Sequence, residues 1–318
     1  MRNFATVLFA FTLALAPPAV SQIAGSWGGR SPVYMPSGPL NSPDVTSGYG
    51  ALSGLNSGAG DYWSRCVGGD NIPVQRSIRS CGRVIGERVS RVVTAAAYYY
   101  RAKHHEELGD TEAVQRDYQR ALELFTLETR AHRTDPIAFF NRASVLEHFY
   151  EYDRAIADYR QAASLNADWD RPYYRTGSIA FERGDYVGAI AEFDRAAELD
   201  PEDPDNQSAR CEARAAAGSD FEGAEAACAE ALSLAENEAT ALFSRGYLRF
   251  MQGDMEAAYA DFDAAATADE DNLYAVYGRG VAGTRLERQP QAEIDLTRAV
   301  DGLHERERGY YANAGLRP

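Results

Sequence analysis

The sequence predicts an all-α fold, a solenoid of about six stacked helix-turn-helix repeats. Three observations predict it. A motif of 34 residues recurs along the 318-residue chain, its apolar residues have helical spacing, and small and bulky residues occupy fixed places within it. A single unit of this kind cannot bury its apolar face alone, so neighbouring units must stack. We expect a degenerate half-unit before the first repeat and a cap after the last, formed by residues 302–318.

Residues 1–21 have the pattern of a secretory signal peptide. The run from Phe4 to Ala16 follows the basic residue Arg2; it is 13 residues long and predominantly apolar, too short to span a bilayer as a helix. Small residues end the segment, which places the predicted cleavage after Ser21. The alternative is an uncleaved N-terminal anchor. We predict a secreted or periplasmic chain with no stable membrane insertion after cleavage.

Residues 22–60 are predicted to be a disordered linker, and residues 61–318 the solenoid. Gly, Ser and Pro dominate the linker, and its apolar residues show no periodicity. A segment of this composition cannot bury enough surface to offset the entropy lost on ordering.

The repeat unit has a simple packing logic. A large residue at position 4 and a small one at position 8 mark the first helix; Ala at positions 20 and 27 and a bulky residue at 24 mark the second. In one unit these are Tyr173, Gly177, Ala189, Phe193 and Ala196. A Gly-Asp turn commonly joins the helices, because Gly permits positive φ at a helix end and Asp caps the next helix. The six units are residues 95–128, 136–169, 170–203, 204–238, 239–272 and 273–306.

Seven additional residues, TRAHRTD, separate the first unit from the second, between Thr129 and Asp135. Seven residues correspond to about two turns of an α-helix. We therefore predict that the second helix of the first unit is two turns longer than its counterparts, which offsets the stack at this point.

This pattern resembles the tetratricopeptide repeat family over about residues 95–300. The family's Trp at position 4 is replaced by Tyr98, Phe139, Tyr173 and other residues. The resemblance implies a right-handed α-solenoid whose first helices line a concave surface, chiefly through positions 2, 5, 6, 9, 12 and 13. It also implies that a protein or a peptide binds to that surface.

We expect aromatic and polar side chains at these positions to form a peptide-binding groove. The position-5 aromatics lie off the packing stripe of positions 4, 8 and 11, and aromatic surface that the core does not need is a common mark of a binding patch. The alternative is that these rings pack against the neighbouring unit. The expected groove residues are Tyr99, Lys103, Phe140, Asn141, Arg171, Tyr174, Arg175, Phe181, Phe243, Tyr247, Phe250 and Tyr277.

Some members of the family bind the terminal carboxylate of a peptide through a clamp of basic and amide side chains. Asn141, Arg171 and Arg175 match three clamp positions, whereas Tyr99 and Lys103 stand where the family has Lys and Asn. Arginine suits the task because its guanidinium binds a carboxylate through two hydrogen bonds. A carboxylate clamp is therefore a second hypothesis for this surface.

Four cysteines fall at or beside positions where the two helices of one unit face each other. Cys66 and Cys81 precede the first complete unit, and Cys211 and Cys228 belong to the fourth. Because distant units of a solenoid do not touch, we predict the disulfides Cys66–Cys81 and Cys211–Cys228. Buried free thiols are the alternative.

Arg at position 7 and Asp at position 23 occur together in four units. The two positions lie on adjacent helices, which predicts a row of interhelical ion pairs that sets helix registry. A ligand-binding ladder is the alternative. The expected pairs are Arg101–Asp117, Arg142–Asp158, Arg245–Asp261 and Arg279–Asp295, while in a fifth unit Glu192 is at position 23 and Thr176 replaces the Arg.

Composition and motifs disfavour nucleic-acid binding, metal binding and catalysis. The formal net charge is -15 and no cluster of Lys or Arg is present, which disfavours phosphate backbones. The HHEE segment, residues 104–107, spreads around a helix, and PEDPDN, residues 201–206, lacks the Gly and Glu of a calcium loop. We expect no cofactor, no bound metal and no enzymatic activity.

These observations together predict an exported repeat scaffold that binds a protein or a peptide in its concave groove. One alternative is a structural factor of cell-envelope assembly that uses its convex or terminal faces. A remote alternative is an enzyme accessory or metal-binding protein.

Overall fold

The computed structural model describes residues 57–68, 72–235, 238–303 and 315–316. The predicted signal peptide, most of the predicted linker and most of the predicted cap, including Tyr310 and Tyr311, lie outside these ranges. The described residues form fourteen α-helices and no strand. The helices are α1 Ser57–Val67, α2 Val74–Gly86, α3 Arg91–Glu107, α4 Thr111–Ala131, α5 Pro136–His148, α6 Tyr152–Leu165, α7 Arg171–Glu182, α8 Tyr186–Leu199, α9 Pro204–Ala217, α10 Phe221–Leu234, α11 Ala239–Gln252, α12 Met255–Ala268, α13 Leu273–Arg285 and α14 Gln291–Gly302.

Consecutive helices pack as hairpins, α1 on α2 through α13 on α14, and successive hairpins pack on one another. The all-α solenoid is therefore confirmed. The segment expected to be a half-unit contains a full hairpin, α1 and α2. Its first helix begins at Ser57, inside the predicted linker. The Ser-Gly-Ala-Gly start of α1 has no apolar periodicity, so the sequence pattern did not predict a helix there. None of the helices in the described ranges has the length and apolarity needed to cross a membrane.

The Gly-Asp turns have the predicted chemistry, as the turn between α7 and α8 shows. Gly184 has φ +77°, a conformation that side chains with a Cβ rarely adopt. The Asp185 carboxylate accepts a hydrogen bond from the backbone N–H of Gly188 at 2.9 Å, which caps α8. Equivalent caps at 3.1 Å are made by Asp110 to Ala113 and by Asp254 to Ala257.

Positions 8 and 24 meet at the closest approach of each hairpin. A Cβ atom built on Gly177 would lie 2.8 Å from the Phe193 ring, and one on Gly246 would lie 2.8 Å from the Phe262 ring. Both rings are fully buried. The small residue therefore makes room for the large one, as the repeat predicted.

Helix α4 contains 21 residues, whereas α6, α8, α10 and α12 contain 14 each. This confirms the extension of two turns. Near the C-terminal end of α4, Glu128 accepts a hydrogen bond from Arg91 of α3 at 3.1 Å, and the Thr129 hydroxyl accepts one from Arg142 of α5 at 2.7 Å. Helices on both sides therefore stabilise the extra turns.

The structure joins the cysteines in the predicted pairs. Cys66 on α1 is bonded to Cys81 on α2 with Cα atoms 4.5 Å apart, and Cys211 on α9 to Cys228 on α10 at 5.2 Å. All four side chains are buried. Each bridge links the two helices of one hairpin, so neither constrains the arrangement of different hairpins directly.

Candidate functional site

The expected groove residues all lie on the first helices of their hairpins, α3, α5, α7, α11 and α13. The eight aromatic residues among them are nevertheless buried, none more than 7% exposed. The expectation that these rings line an open groove is corrected by the structure. They form an apolar floor beneath the first-helix surface: Tyr99, Phe140, Tyr174, Phe181, Phe243, Tyr247, Phe250 and Tyr277.

Ring packing within each hairpin explains this burial. The position-5 ring contacts the position-24 ring of its own second helix. Tyr99 and Tyr118 have ring centroids 5.4 Å apart, and the same contact recurs in three further hairpins. The centroid distances there are 5.1 Å for Phe140–Tyr159, 5.7 Å for Tyr174–Phe193 and 5.5 Å for Phe243–Phe262. Each of these position-5 rings therefore packs on a ring of its own unit. The alternative prediction was that it packs against the neighbouring unit.

The carboxylate clamp is not open either, because an internal carboxylate already binds Arg175. Arg175 on α7 donates to Glu147 on α5 through Nε at 3.2 Å and also through Nη2, and the Tyr159 hydroxyl donates to the same carboxylate. Burial alone would lower the pKa of Arg175, yet Glu147 and Tyr159 raise it well above its usual range. Asn141 is fully buried, so it too offers no contact to a ligand.

Glu147 could have been recognised as a partner in the sequence. It occupies position 12, a concave position, in the unit directly before that of Arg175. The recurring Arg and Asp pattern lies within single units, so it does not include this contact between two first helices.

A second polar cluster lies between α3 and α5. His148 Nδ1 lies 3.3 Å from a carboxylate oxygen of Glu106, and the His148 ring stacks on Tyr118 with centroids 3.6 Å apart. Burial lowers the pKa of the nearby Lys103, an effect that Glu106 opposes and Arg175 reinforces. Glu106 and His148 were not among the expected site residues, although both occupy concave positions of their units.

The accessible part of the first-helix surface is mainly charged. Some side chains at concave positions are half-buried or exposed. Most of these are charged, with both signs present, and most lie on the same helices as the buried rings of the apolar floor. They include Lys103, Glu107, Arg171, Arg175, Glu182, Asp205 and Arg285, with Met251 as an apolar member. A ligand on this surface would meet ammonium, guanidinium and carboxylate groups before it met an aromatic ring.

The recurring Arg and Asp residues form the predicted interhelical ion pairs. Each of the four pairs makes two hydrogen bonds of 2.6–2.8 Å: Arg101–Asp117, Arg142–Asp158, Arg245–Asp261 and Arg279–Asp295. Where position 23 is Ala227, Arg210 instead reaches Asp194 of the preceding unit at 2.9 Å. These arginines are engaged in structural pairs, so the alternative of a ligand ladder receives no support.

The acidic turn before α9 has a structural use. The carboxylate oxygens of Asp170, Asp200 and Asp203 lie within 4.8 Å of one another. Asp203 caps α9 by accepting from the Asp205 N–H at 3.0 Å, and the Asn206 amide donates to Asp170 at 3.3 Å and to the Asp200 carbonyl at 3.2 Å. Capping and turn closure account for the position of these acids.

Comparison with known proteins agrees with this architecture. The tetratricopeptide repeat family model matches residues 106–172, 151–204 and 214–272. The solved structure of a tetratricopeptide repeat protein from Parabacteroides merdae is similar in fold, with a TM-score of 0.56 at 17% identity, covering 80% of this chain and 98% of that one. At that identity the likeness shows the fold alone.

Two curated relatives share part of the repeat region. The small glutamine-rich tetratricopeptide repeat-containing protein 2 of Mycosarcoma maydis is 29% identical over 86 residues, 27% of this chain and 24% of that protein. The Hsp70-Hsp90 organizing protein of Triticum aestivum is 29% identical over 98 residues, 28% of this chain and 17% of that protein. The chain thus spans about a quarter or less of the length of these relatives.

The hairpin stack defines the chain as a helical-repeat protein. Because the family model also matches three stretches of its repeats, the chain belongs to the tetratricopeptide repeat family.

Proposed function

We propose that this chain is an exported scaffold that binds a protein or peptide partner on the surface of its first helices. The observation that carries the proposal is the charged layer on α3 and α7, which includes Lys103, Glu107, Arg171 and Glu182. These side chains lie at positions that the resemblance assigns to the concave surface. A rigid floor of packed rings beneath them holds the layer in place, which limits the entropy lost on binding.

Two further observations support a scaffold outside the reducing cytosol. Two buried disulfides are typical of proteins that fold in an oxidising compartment such as the periplasm. A relative bears the name Hsp70-Hsp90 organizing protein, which describes a scaffold. We extend to this chain only the general role of holding a polypeptide partner, and we assign it no catalytic step.

Charge reversal on the first-helix surface tests the proposal. The chain lacking residues 1–21, with Lys103→Glu and Arg171→Glu, would be used in crosslinked pull-down from the native compartment. The matched control is Arg120→Glu with Arg154→Glu, which makes the same change in net charge on the second helices α4 and α6, where both side chains are exposed.

We expect the first-helix variant to capture at least tenfold less partner than the parent chain, and the control variant to capture as much as the parent. Circular dichroism would verify that both variants keep their helical content. If both variants capture the partner equally well, the first-helix surface is not the site, and the structural alternative, which uses convex or terminal faces, is favoured.

A further inference from the structure

The segment Gly315–Leu316, which follows α14, lies against the first helices of the last two hairpins. Leu316 is fully buried in the same apolar cluster as Phe243, Tyr247 and Tyr277. The Tyr277 hydroxyl, on α13, donates to the Leu316 carbonyl oxygen at 3.4 Å. This segment is not part of a helix, so a short non-helical stretch contacts the side of the solenoid that the resemblance makes concave.

The contact depends on the particular residue types of the segment. Gly315 has φ +100°, and a Cβ atom built there would lie 3.0 Å from the Met251 sulfur of α11. A residue with a side chain would therefore be strained in its backbone and crowded against Met251. Position 315 therefore favours glycine, and the aliphatic side chain of Leu316 that follows is completely buried.

Met251 and Tyr277, which contact this segment, occupy positions that the resemblance assigns to the concave surface. Met251 is at position 13 of its unit and Tyr277 at position 5 of the next. The segment therefore covers part of the first-helix surface of α11 and α13. Main-chain recognition through Tyr277, together with a pocket for one side chain, is the usual chemistry by which a protein binds an extended peptide.

We propose that the first-helix surface of α11 and α13 is a binding site for an extended segment that carries glycine followed by leucine, and that Gly315–Leu316 occupies this site within the molecule. The occupied site excludes an external peptide of the same chemistry until the internal segment is displaced. The charged layer on α3 and α7 lies in other hairpins, so this inference stands or falls separately from the proposed function.

A peptide copy of the segment tests the proposal directly. The probe is the labelled peptide YANAGLRP, residues 311–318, and its binding would be measured by fluorescence anisotropy. It would be added to the parent chain and to chains carrying Leu316→Asp or Gly315→Val, which alter the segment and leave α11 and α13 intact. The control chain carries Val187→Asp on α8, where the side chain is 77% exposed.

We expect both segment variants to bind the peptide at least tenfold more tightly than the parent chain, because their internal segment no longer competes. The Val187→Asp chain should behave like the parent, and the peptide YANAGDRP should bind to none of them. Equal binding by parent and variants, or no binding by the variants, would overturn the proposal. Loss of helical content in both variants would overturn it as well, since the segment would then be part of the core.

Discussion

At the scale of single residues, the position of a charge relative to its partner decides its role. Four arginines at position 7 have an Asp partner in the same unit, and each makes a pair with two hydrogen bonds. Because desolvation offsets much of the attraction in such pairs, we expect them to contribute more to the registry of adjacent helices than to stability. Two units depart from this pattern: Ala227 replaces the Asp in the fourth, and in the third Thr176 replaces the arginine that would have paired with Glu192 at position 23.

The missing partner has a consequence that depends on pH. Burial raises the pKa of the Glu192 carboxyl group, and Arg160 offsets only part of this. The folded chain therefore binds this proton more tightly than the unfolded chain, so stability falls as pH rises from the unfolded pKa, about 4.3, through the folded pKa. The unfavourable contribution of the charged carboxylate is fully present above the folded pKa.

We predict that Glu192→Gln stabilises the protein at pH 7 by less than about 1 kcal/mol, since the site is partly exposed. The gain should shrink as pH is lowered and vanish below about pH 4. Urea unfolding across this range measures it. Glu198→Gln on the same helix, where the carboxylate is 66% exposed and paired with Arg195, is the control and should give no gain. A gain that does not change with pH would refute the explanation.

At the scale of helices and hairpins, the repeat works because one small residue faces one large ring. The sequence was sufficient to predict this contact, the Gly-Asp turns and the extra turns of α4, since each follows from residues within about 34 positions of one another. The burial of the position-5 rings was not predicted, because it depends on how closely the two helices of a hairpin approach, which spacing alone does not define. The Glu147–Arg175 contact joins two units, and a pattern within single units does not contain it.

The close approach makes a specific prediction for Gly246. A methyl group there would lie 2.8 Å from the buried Phe262 ring, so Gly246→Ala should lower the free energy of unfolding by about 1–3 kcal/mol despite the better helix propensity of Ala. Denaturant unfolding measures the change. Gly82→Ala on α2, where the nearest atom would be 3.8 Å away, should be neutral or stabilising. Equal effects at both positions would show that packing is not the cause.

At the scale of the whole molecule, the solenoid has two surfaces with different chemistry on its first helices. Helices α3 and α7, in the first and third repeats, present mixed charges, and α11 and α13 contact Gly315–Leu316 through Met251 and Tyr277. The sequence predicted that these surfaces lie on the first helices, but it also predicted that the aromatic side chains would contact a ligand. The contact of position 5 with position 24 in four hairpins instead places those position-5 rings in the core.

Hydrogen–deuterium exchange of the chain lacking residues 1–21, with and without its captured partner, tests the central claim most directly. The first helices α3, α5 and α7 should exchange more slowly in the complex, because the partner would cover the charged layer. Their second helices α4, α6 and α8 should be unchanged. Protection confined to the second helices, or to the terminal hairpins, would contradict a binding site on the first-helix surface.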